Sequence, residues 1–570
     1  MTWSPIPSVK NRNQSVIDIA GRTFDVCVIG GGATGAGCAL DAQLRGMKTV
    51  LLDAGDFAGA TSSTSTKIVH GGVRYLEAAV KGFDPAQYRV VKRALQERIR
   101  MLKNAPHLAH TMEFLLPCFA WMDAAYYDAG LKLYDWISGS ARLFPSRFVS
   151  REETLRRMPA LKREKLIGSI VYADGQFDDA RYNVALVDTF ADAGGEALNY
   201  ARVSGFAKDS SGRLTAAEVE DKLTGTKFSV PAGAFVNATG PFSDTVRTLA
   251  TANVAPRMRL SKGIHVLLPL EVMPGDDALL IPKTEDGRVL FAVPWMGRLL
   301  VGTTEQEIGV HDELYVTKDE VEYLLHHLNQ YLERPVKADC VVSGIAGARP
   351  LVSSGDSRDT KKLARDDVLE IDAANGLISI MGGKWTTYRA MAEDTIDAAQ
   401  EQLKIPKTES STKHHLLSGA EGFTAEYWET LVDEYRIPEE PARHLAEKFG
   451  ARAPRVLDLA REAPALAEPL LEGSPVLRAE VVYCARNEMA VTIEDVLFRR
   501  LGVQLYSWRD AMRAAPIVAS ILGAELGWPA GAEHDAIESY VKKISRYVEL
   551  AGLAAETGAN GAAAQSASEA

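Results

Sequence analysis

The chain has 570 residues, 46% of them hydrophobic, which is ample for large cores and, by length, about three or four domains' worth of protein. Its 64 Lys and Arg against 75 Asp and Glu leave a formal charge of −11, which argues against a nucleic-acid partner held by a globally basic face but leaves room for a local cationic cluster around a small anion. The five cysteines (Cys27, Cys38, Cys118, Cys340, Cys484) are scattered, odd in number and form no C-x-x-C, so neither a disulfide framework nor a metal site is expected and a reducing compartment fits.

The opening stretch MTWSPIPSVKNRNQSVIDIA has no apolar h-region, so no signal peptide is expected. No run of about 18 uncharged apolar residues occurs, so no transmembrane helix is expected, and a peripheral membrane contact stays open. Phe24 to Ile29, FDVCVI, reads as a buried strand. GGGATGAGCALDAQLRG and KTVLLD follow, giving strand, glycine turn, helix and strand: one βαβ unit. Next comes the Ser/Thr-rich run ATSSTSTKIVHGGVRYLE. Pro85 to Met101 has helical spacing at Val90, Val91, Leu95, Ile99 and Leu102, and the aromatic-rich Tyr126 to Leu143 also reads as helix. Between Ile167 and Ser243 short strands surround one helix, Asn183 to Ala193, and Gly233 to Gly240 reads as a buried strand ending in a turn. Arg257 to Val301 breaks into strand-like runs separated by Pro, Gly and Asp, the pattern of an antiparallel sheet. Lys318 to Leu332 is an amphipathic helix, Leu377 to Met381 a buried strand, and GGKWTTYRAMAEDTIDAA a glycine turn opening a helix. After Pro406 the chain reads as helices separated by Pro and Gly. From Glu556 it is Ala, Gly, Ser, Asn and Gln, the composition of a disordered tail.

Gly30, Gly32 and Gly35 form a G-x-G-x-x-G that follows a strand and opens a helix. The first glycine permits the tight turn, the second lets backbone amides approach a pyrophosphate, and the third lets the helix sit close to the strand. The helix N-terminus adds unpaired N–H groups and a positive dipole end. Asp53 ends the second strand, where a carboxylate accepts hydrogen bonds from a ribose. That acid disfavours a 2′-phosphate and hence NADP, leaving FAD and NAD. Two distant strand-to-glycine turns, VNATG at Gly240 and IMGGK at Gly383, favour a flavin domain assembled from separated parts of the chain.

The run Ala60 to Glu77, with FDVCVIGGGATGAG, VNATGPFSD, KGIHVLLP, PWMGRLLVGTTE, ARPLV and GGKWTTYR, resembles the FAD-dependent glycerol-3-phosphate dehydrogenases in the family's own order from Phe24 to Arg389. RNEMAVTIEDVLFRR, Arg486 to Arg500, resembles that family's helical C-terminal domain. The resemblance implies an α/β fold like that of D-amino acid oxidase: a Rossmann-like FAD-binding domain interleaved with an antiparallel-sheet substrate domain, plus an all-α C-terminal domain. The expected division is 21–80, 165–257 and 370–405 for the FAD-binding domain, 81–164 and 258–369 for the substrate or cap domain, 406–555 for the helical domain and 556–570 for the tail. It also implies oxidation of sn-glycerol 3-phosphate to dihydroxyacetone phosphate, electron transfer to quinone at the cytoplasmic side of the membrane, and dimers as a common state.

The site residues follow from matching this sequence to the family pattern. The substrate phosphate calls for guanidinium and ammonium groups, and Arg74, Tyr75, Thr303 and Arg365 match phosphate-side positions. His265 in KGIHVLLP matches the base and Arg349 in ARPL a position that stabilises a developing alkoxide; which of the two accepts the proton stays open. Lys384 faces the negative charge of reduced flavin. Lys67 and His70 line the flavin, Thr61, Ser62 and Ser63 bond pyrophosphate or ring oxygens, and Thr239, Gly240 and Gly383 lie on the cofactor side. Glu305 departs from the family's usual Asp after paired threonines, and its longer side chain is expected to shift the loop, which weakens the match of Thr303 as a phosphate ligand. The alternatives are an oxygen-using oxidase of the same substrate, an amino-acid oxidase of the same fold, and a flavin-fold binding or tRNA-modifying module without redox turnover.

Overall fold

The first strand, Phe24–Ile29, forms where a β-branched apolar run meets the glycine turn, and only Asp25 of it is exposed. It pairs in parallel with Thr49–Leu52 on one side and Lys227–Asn237 on the other. In the computed structural model, which describes residues 12–72, 85–353 and 367–553, these strands centre an eight-stranded sheet. Its order runs Asp367–Ile371, Ile378–Gly382, Lys227–Asn237, Phe24–Ile29, Thr49–Leu52, Glu196–Leu198, with Ala201–Lys208 and Leu214–Asp221 as an antiparallel extension. The helix Ala33–Leu44 lies on it, and its small residues allow close contact with the helix Tyr388–Leu403: a Cβ on Gly37 would stand 2.9 Å from Tyr388. The helix Asp179–Asp192 packs beside it, buried over all but its last residue.

A second sheet of ten described strands is mostly antiparallel. Its backbone is the strand Met258–Pro269, flanked by Ser343–Val352 on one side and by Arg298–Gly302 and Gln306–Ile308 on the other. The period of two along this strand separates two faces. Ile264, Val266 and Leu268 point into a core shared with the C-terminal helices, where Val481, Trp508 and Val518 meet them. Gly263 and His265 alternate with them.

The strand Gly168–Phe177 pairs in this second sheet with Ala109–Cys118, and Ile68–Val69 pairs with it in turn. The boundaries drawn at 80 and 165 would place both in the flavin unit, and the one at 369 splits Asp367–Ile371, which pairs in the first sheet. Apolar runs identify strands but carry no information about which sheet they join. The chain passes from one sheet to the other at Asp178, which caps the helix Asp179–Asp192 by accepting a 3.2 Å bond from the Arg181 N–H. The expected tail from Glu556 lies outside the described residues, as do Arg74, Tyr75 and Arg365.

The helical domain begins at Tyr427–Tyr435 and runs to Ala532–Leu550. Besides the shared apolar core, one buried acid ties it to the flavin unit. Asp56 follows the second strand of the first sheet. It accepts bonds from Arg499 Nε at 2.5 Å and Arg500 Nη2 at 2.8 Å, both from the wide turn Asp495–Arg500, and from Asn199 Nδ2 at 3.2 Å. Burial alone would raise this carboxyl; the guanidinium of Arg500, then that of Arg499, reverses the effect and holds it below the ordinary carboxylate range. Asp56→Asn therefore removes the charge the two buried guanidinium groups share, leaving Arg499 on Asp495 and Arg500 on the Glu488 carbonyl. It is expected to lower stability in urea unfolding by about 3–5 kcal/mol; a loss under about 1 kcal/mol, the usual worth of an exposed pair, would show that the contact carries no such weight.

Candidate active site

Two neighbouring regions gather most of the expected residues. The first is the cradle at the C-terminal end of the parallel strands. Gly30 has φ +104°, and a Cβ there would lie 2.7 Å from the Ala238 carbonyl oxygen. A Cβ on Gly35 would lie 1.7 Å from the Gly30 oxygen, so the turn and the helix close on each other only without side chains. The Ala33 N–H at the helix start donates to Ser62 Oγ at 3.0 Å, so a hydroxyl oxygen stands where the helix end presents its free donors. Asp53 accepts from the Gly31 and Gly55 N–H groups at 2.5 and 2.8 Å. Burial pushes its carboxyl up to about 6 against these two bonds. Each oxygen keeps lone-pair capacity for a ribose hydroxyl. Thr239 closes the cradle's edge, its Oγ1 donating to Asn237 Oδ1 at 2.7 Å, beside Gly240. Side-chain-free backbone, helix-end donors and an acid at the second strand fit the dinucleotide half of FAD.

The second region is a cavity of about 680 Å³ adjoining the Ser/Thr run. Thr61, Thr66 and His70 form one wall, Gly383, Lys384 and Trp385 another, and His265, Thr303 and Arg349 the sheet floor. Trp385 Nε1–H donates to the Ser62 carbonyl at 2.9 Å and so joins the cavity wall to the cradle. Lys384 directly precedes the short helix Trp385–Thr387 and the helix Tyr388–Leu403.

The floor depends on two glycines. A Cβ on Gly302 would fall 2.0 Å from the His265 ring, and one on Gly263 would fall 2.3 Å from the Arg349 guanidinium. Their absence lets both side chains lie flat on the sheet. Arg349 donates from Nη2 to Thr303 Oγ1 at 2.8 Å and from Nη1 to the Thr304 carbonyl at 3.2 Å. Thr304 is in turn fixed by Glu320, whose carboxylate accepts its hydroxyl at 3.2 Å. His265 is buried, and burial, then the charges of Arg349 and Lys67, bring its imidazole down to about 3. It is neutral throughout the physiological range.

Two expected cofactor contacts are placed elsewhere. Lys67 is fully buried and does not line the cavity: its ammonium pairs with Asp179, donates to the Ser63 carbonyl at 2.9 Å and lies 5.2 Å from the Trp295 ring centre. A lysine is buried so completely only when its charge is matched, and Asp179 supplies the match. Ser63 is buried as well, its hydroxyl donating to the Ala58 carbonyl at 2.8 Å. Thr61 lines the cavity with its hydroxyl on the Ala348 carbonyl at 2.6 Å. Residues not anticipated are Thr66, Asp179 and Glu320. Within ATSSTSTK nothing local distinguishes Thr66 from its hydroxyl neighbours. The FDDA at 177–180 does carry a helix-cap signature that marks Asp178 and Asp179.

The family described as FAD dependent oxidoreductase matches residues 25–389, and the C-terminal domain of alpha-glycerophosphate oxidase matches residues 410–532. The probable mitochondrial glycerol-3-phosphate dehydrogenase of Caenorhabditis elegans is 40% identical over 527 residues, 91% of this chain and 73% of its own. The mitochondrial glycerol-3-phosphate dehydrogenase of Arabidopsis thaliana is 39% identical over 549 residues, 92% of this chain and 87% of its own. Among solved structures, the glycerol-3-phosphate dehydrogenase of Bacillus halodurans complexed with FAD has a TM-score of 0.77 at 28% identity, covering 95% of this chain and 98% of its own. The L-alpha-glycerophosphate oxidase of Mycoplasma pneumoniae shares the fold, with a TM-score of 0.53 at 17% identity over 69% of this chain and 99% of its own.

The depressed imidazole has a measurable consequence. Between pH 6.5 and about 3 the unfolded chain binds a proton at His265 that the folded chain refuses, so this residue's share of stability is lost as pH falls through that window. His265→Gln is expected to flatten the fall in urea stability between pH 6.5 and 4 by about 3 kcal/mol. An unchanged slope would mean that the ring titrates normally in the folded protein.

Proposed function

We propose that this chain, which belongs to the FAD-dependent glycerol-3-phosphate dehydrogenases, oxidises sn-glycerol 3-phosphate to dihydroxyacetone phosphate and passes the electrons to quinone at the cytoplasmic face of a membrane. The observation that carries the reading is a buried neutral imidazole and a guanidinium side by side on the floor of one cavity. FAD, when bound, supplies the two-electron acceptor for the hydrogen on C2.

The chain's own residues divide the remaining work. His265 keeps one ring nitrogen unprotonated at neutral pH and is the acceptor for the C2 hydroxyl proton. Arg349 remains charged under all working conditions, so it acts as a donor to the developing alkoxide rather than as a base. A phosphate dianion brought next to this pair offsets the charge of Arg349, which is one of the causes of the low imidazole basicity, and so strengthens the base when substrate arrives. Thr303 and Arg349 supply donors on the floor, and Arg74, Tyr75 and Arg365 are the further phosphate-side groups by family position. Lys384, ahead of a helix N-terminus, would hold positive charge beside FAD and so favour its reduction.

The membrane reading is supported by the helix Trp121–Ser138. Trp121, Met122, Tyr126 and Trp136 on it are 56–84% exposed, and Phe144 and Phe148 follow just beyond it. Aromatic side chains of this kind favour the bilayer interface. The same helix contributes Tyr126 and Tyr127 to the cavity lining, so the apolar face adjoins the site. Among the described residues no helix is long and apolar enough to cross a membrane.

His265→Ala is expected to retain FAD and to slow flavin reduction by glycerol 3-phosphate by about 10²–10⁴-fold; an unchanged pre-steady-state rate removes His265 as the base. With a ubiquinone analogue as sole acceptor the protein is expected to turn over much faster than with oxygen, and the reverse ranking makes it an oxidase. A Trp121→Ser, Trp136→Ser double variant is expected to lose co-flotation with anionic phospholipid vesicles while reducing a soluble dye at the parent rate. Retained flotation would place the contact elsewhere.

A further inference from the structure

The two ring nitrogens of His265 have unequal surroundings. Among the described residues Nδ1 is buried and has no hydrogen-bond partner. Nε2 lies 2.9 Å from Thr66 Oγ1. Both residues line the cavity, but His265 is 2% exposed whereas Thr66 is half-buried. The described polar contact of the ring is thus a hydroxyl that itself faces the space where substrate would sit.

That hydroxyl is held by its neighbours in the chain. The Ser65 N–H donates to Asp179 Oδ2 at 2.9 Å, and the Lys67 ammonium pairs with Asp179 Oδ1. The Lys67 N–H donates to Ser65 Oγ at 3.0 Å. A single buried carboxylate therefore clamps the residues on both sides of Thr66. With its flanks fixed, Thr66 loses little further conformational entropy in keeping its hydroxyl on Nε2. On the other side Gly302 leaves the ring room to stay there.

We propose that Thr66 is a proton relay between the C2 hydroxyl of the substrate and Nε2 of His265. The inference rests on the glycerol 3-phosphate reading above. Imidazole starts as the Nδ1–H tautomer with its lone pair on Nε2. The substrate O–H bond breaks and its proton goes to Thr66 Oγ1, while the hydrogen already on Oγ1 goes to Nε2. The O–H electron pair becomes the second C2–O bond, and the C2–H bond leaves with its two electrons for FAD, the oxidant of the family reaction. Imidazole ends as imidazolium and Thr66 is restored. Because Nδ1 is shut off, the proton leaves again by the same hydroxyl.

The test compares Thr66→Val, which keeps the shape, with Thr66→Ser, which keeps the hydroxyl. Flavin reduction by glycerol 3-phosphate is followed anaerobically in mixtures of H2O and D2O, alongside FAD content. The parent is expected to show a curved dependence on deuterium fraction, two protons moving together. Thr66→Val is expected to hold FAD as the parent does, to reduce it about 10–100-fold more slowly, and to show a linear dependence. Thr66→Ser is expected to restore both rate and curvature. The relay is overturned if Thr66→Val reduces flavin at the parent rate, if Thr66→Ser is as slow as Thr66→Val, or if Thr66→Val loses FAD. A parent flavin that stays oxidised overturns the substrate reading itself, and the relay with it.

Discussion

Two adjacent carboxylates, Asp178 and Asp179, stand where the chain leaves the second sheet for the helix that packs on the first. Asp179 takes the ammonium of Lys67 and the amide of Ser65. Asp178 takes Lys448 of the helical domain at 2.5 Å while capping its own helix. Burial would raise Asp178; Lys448, then Lys67, holds it below the usual carboxylate range. Charges this deeply buried cost several kcal/mol each unless paired in good geometry, so the pairing fixes the relative placement of all three units.

The cavity inherits its chemistry from that placement. The run brings Thr66 to His265, and the strand Ser343–Val352 brings Arg349 over Gly263 of the neighbouring strand Met258–Pro269. The arrangement divides duties by charge. A permanent cation stabilises developing oxyanion charge, and an imidazole kept neutral by burial and by two cations receives the proton. His265 cannot be moved by one position without sending its side chain to the opposite face, where Ile264 and Val266 belong to the core shared with the helical domain.

The sequence was most legible where the determinants are local. The turn at Gly30, Gly32 and Gly35 and the acid at Asp53 are read from spacing within a single βαβ unit, and the structure sets them together around Ala33 and Gly31. His265, Arg349, Thr303 and Lys384 could be placed by family motif, and all four line one cavity. Lys67 looked like a flavin contact because it sits in the same run; its buried partner Asp179 is 112 residues away, and nothing local announces it. The sheet taken by Gly168–Phe177, and the docking of Arg499 and Arg500 onto Asp56 across more than 440 residues, are likewise long-range outcomes that periodicity does not encode. A length of about three or four domains' worth of protein is taken up by two interleaved sheets and a helical domain that share cores.

The substrate assignment is tested most directly by the absorbance spectrum of the purified, FAD-loaded protein mixed anaerobically with sn-glycerol 3-phosphate. The yellow oxidised-flavin band is expected to be lost with this substrate and to persist with glycerol or an amino acid. A band that persists with glycerol 3-phosphate, or that bleaches with an amino acid instead, would contradict it.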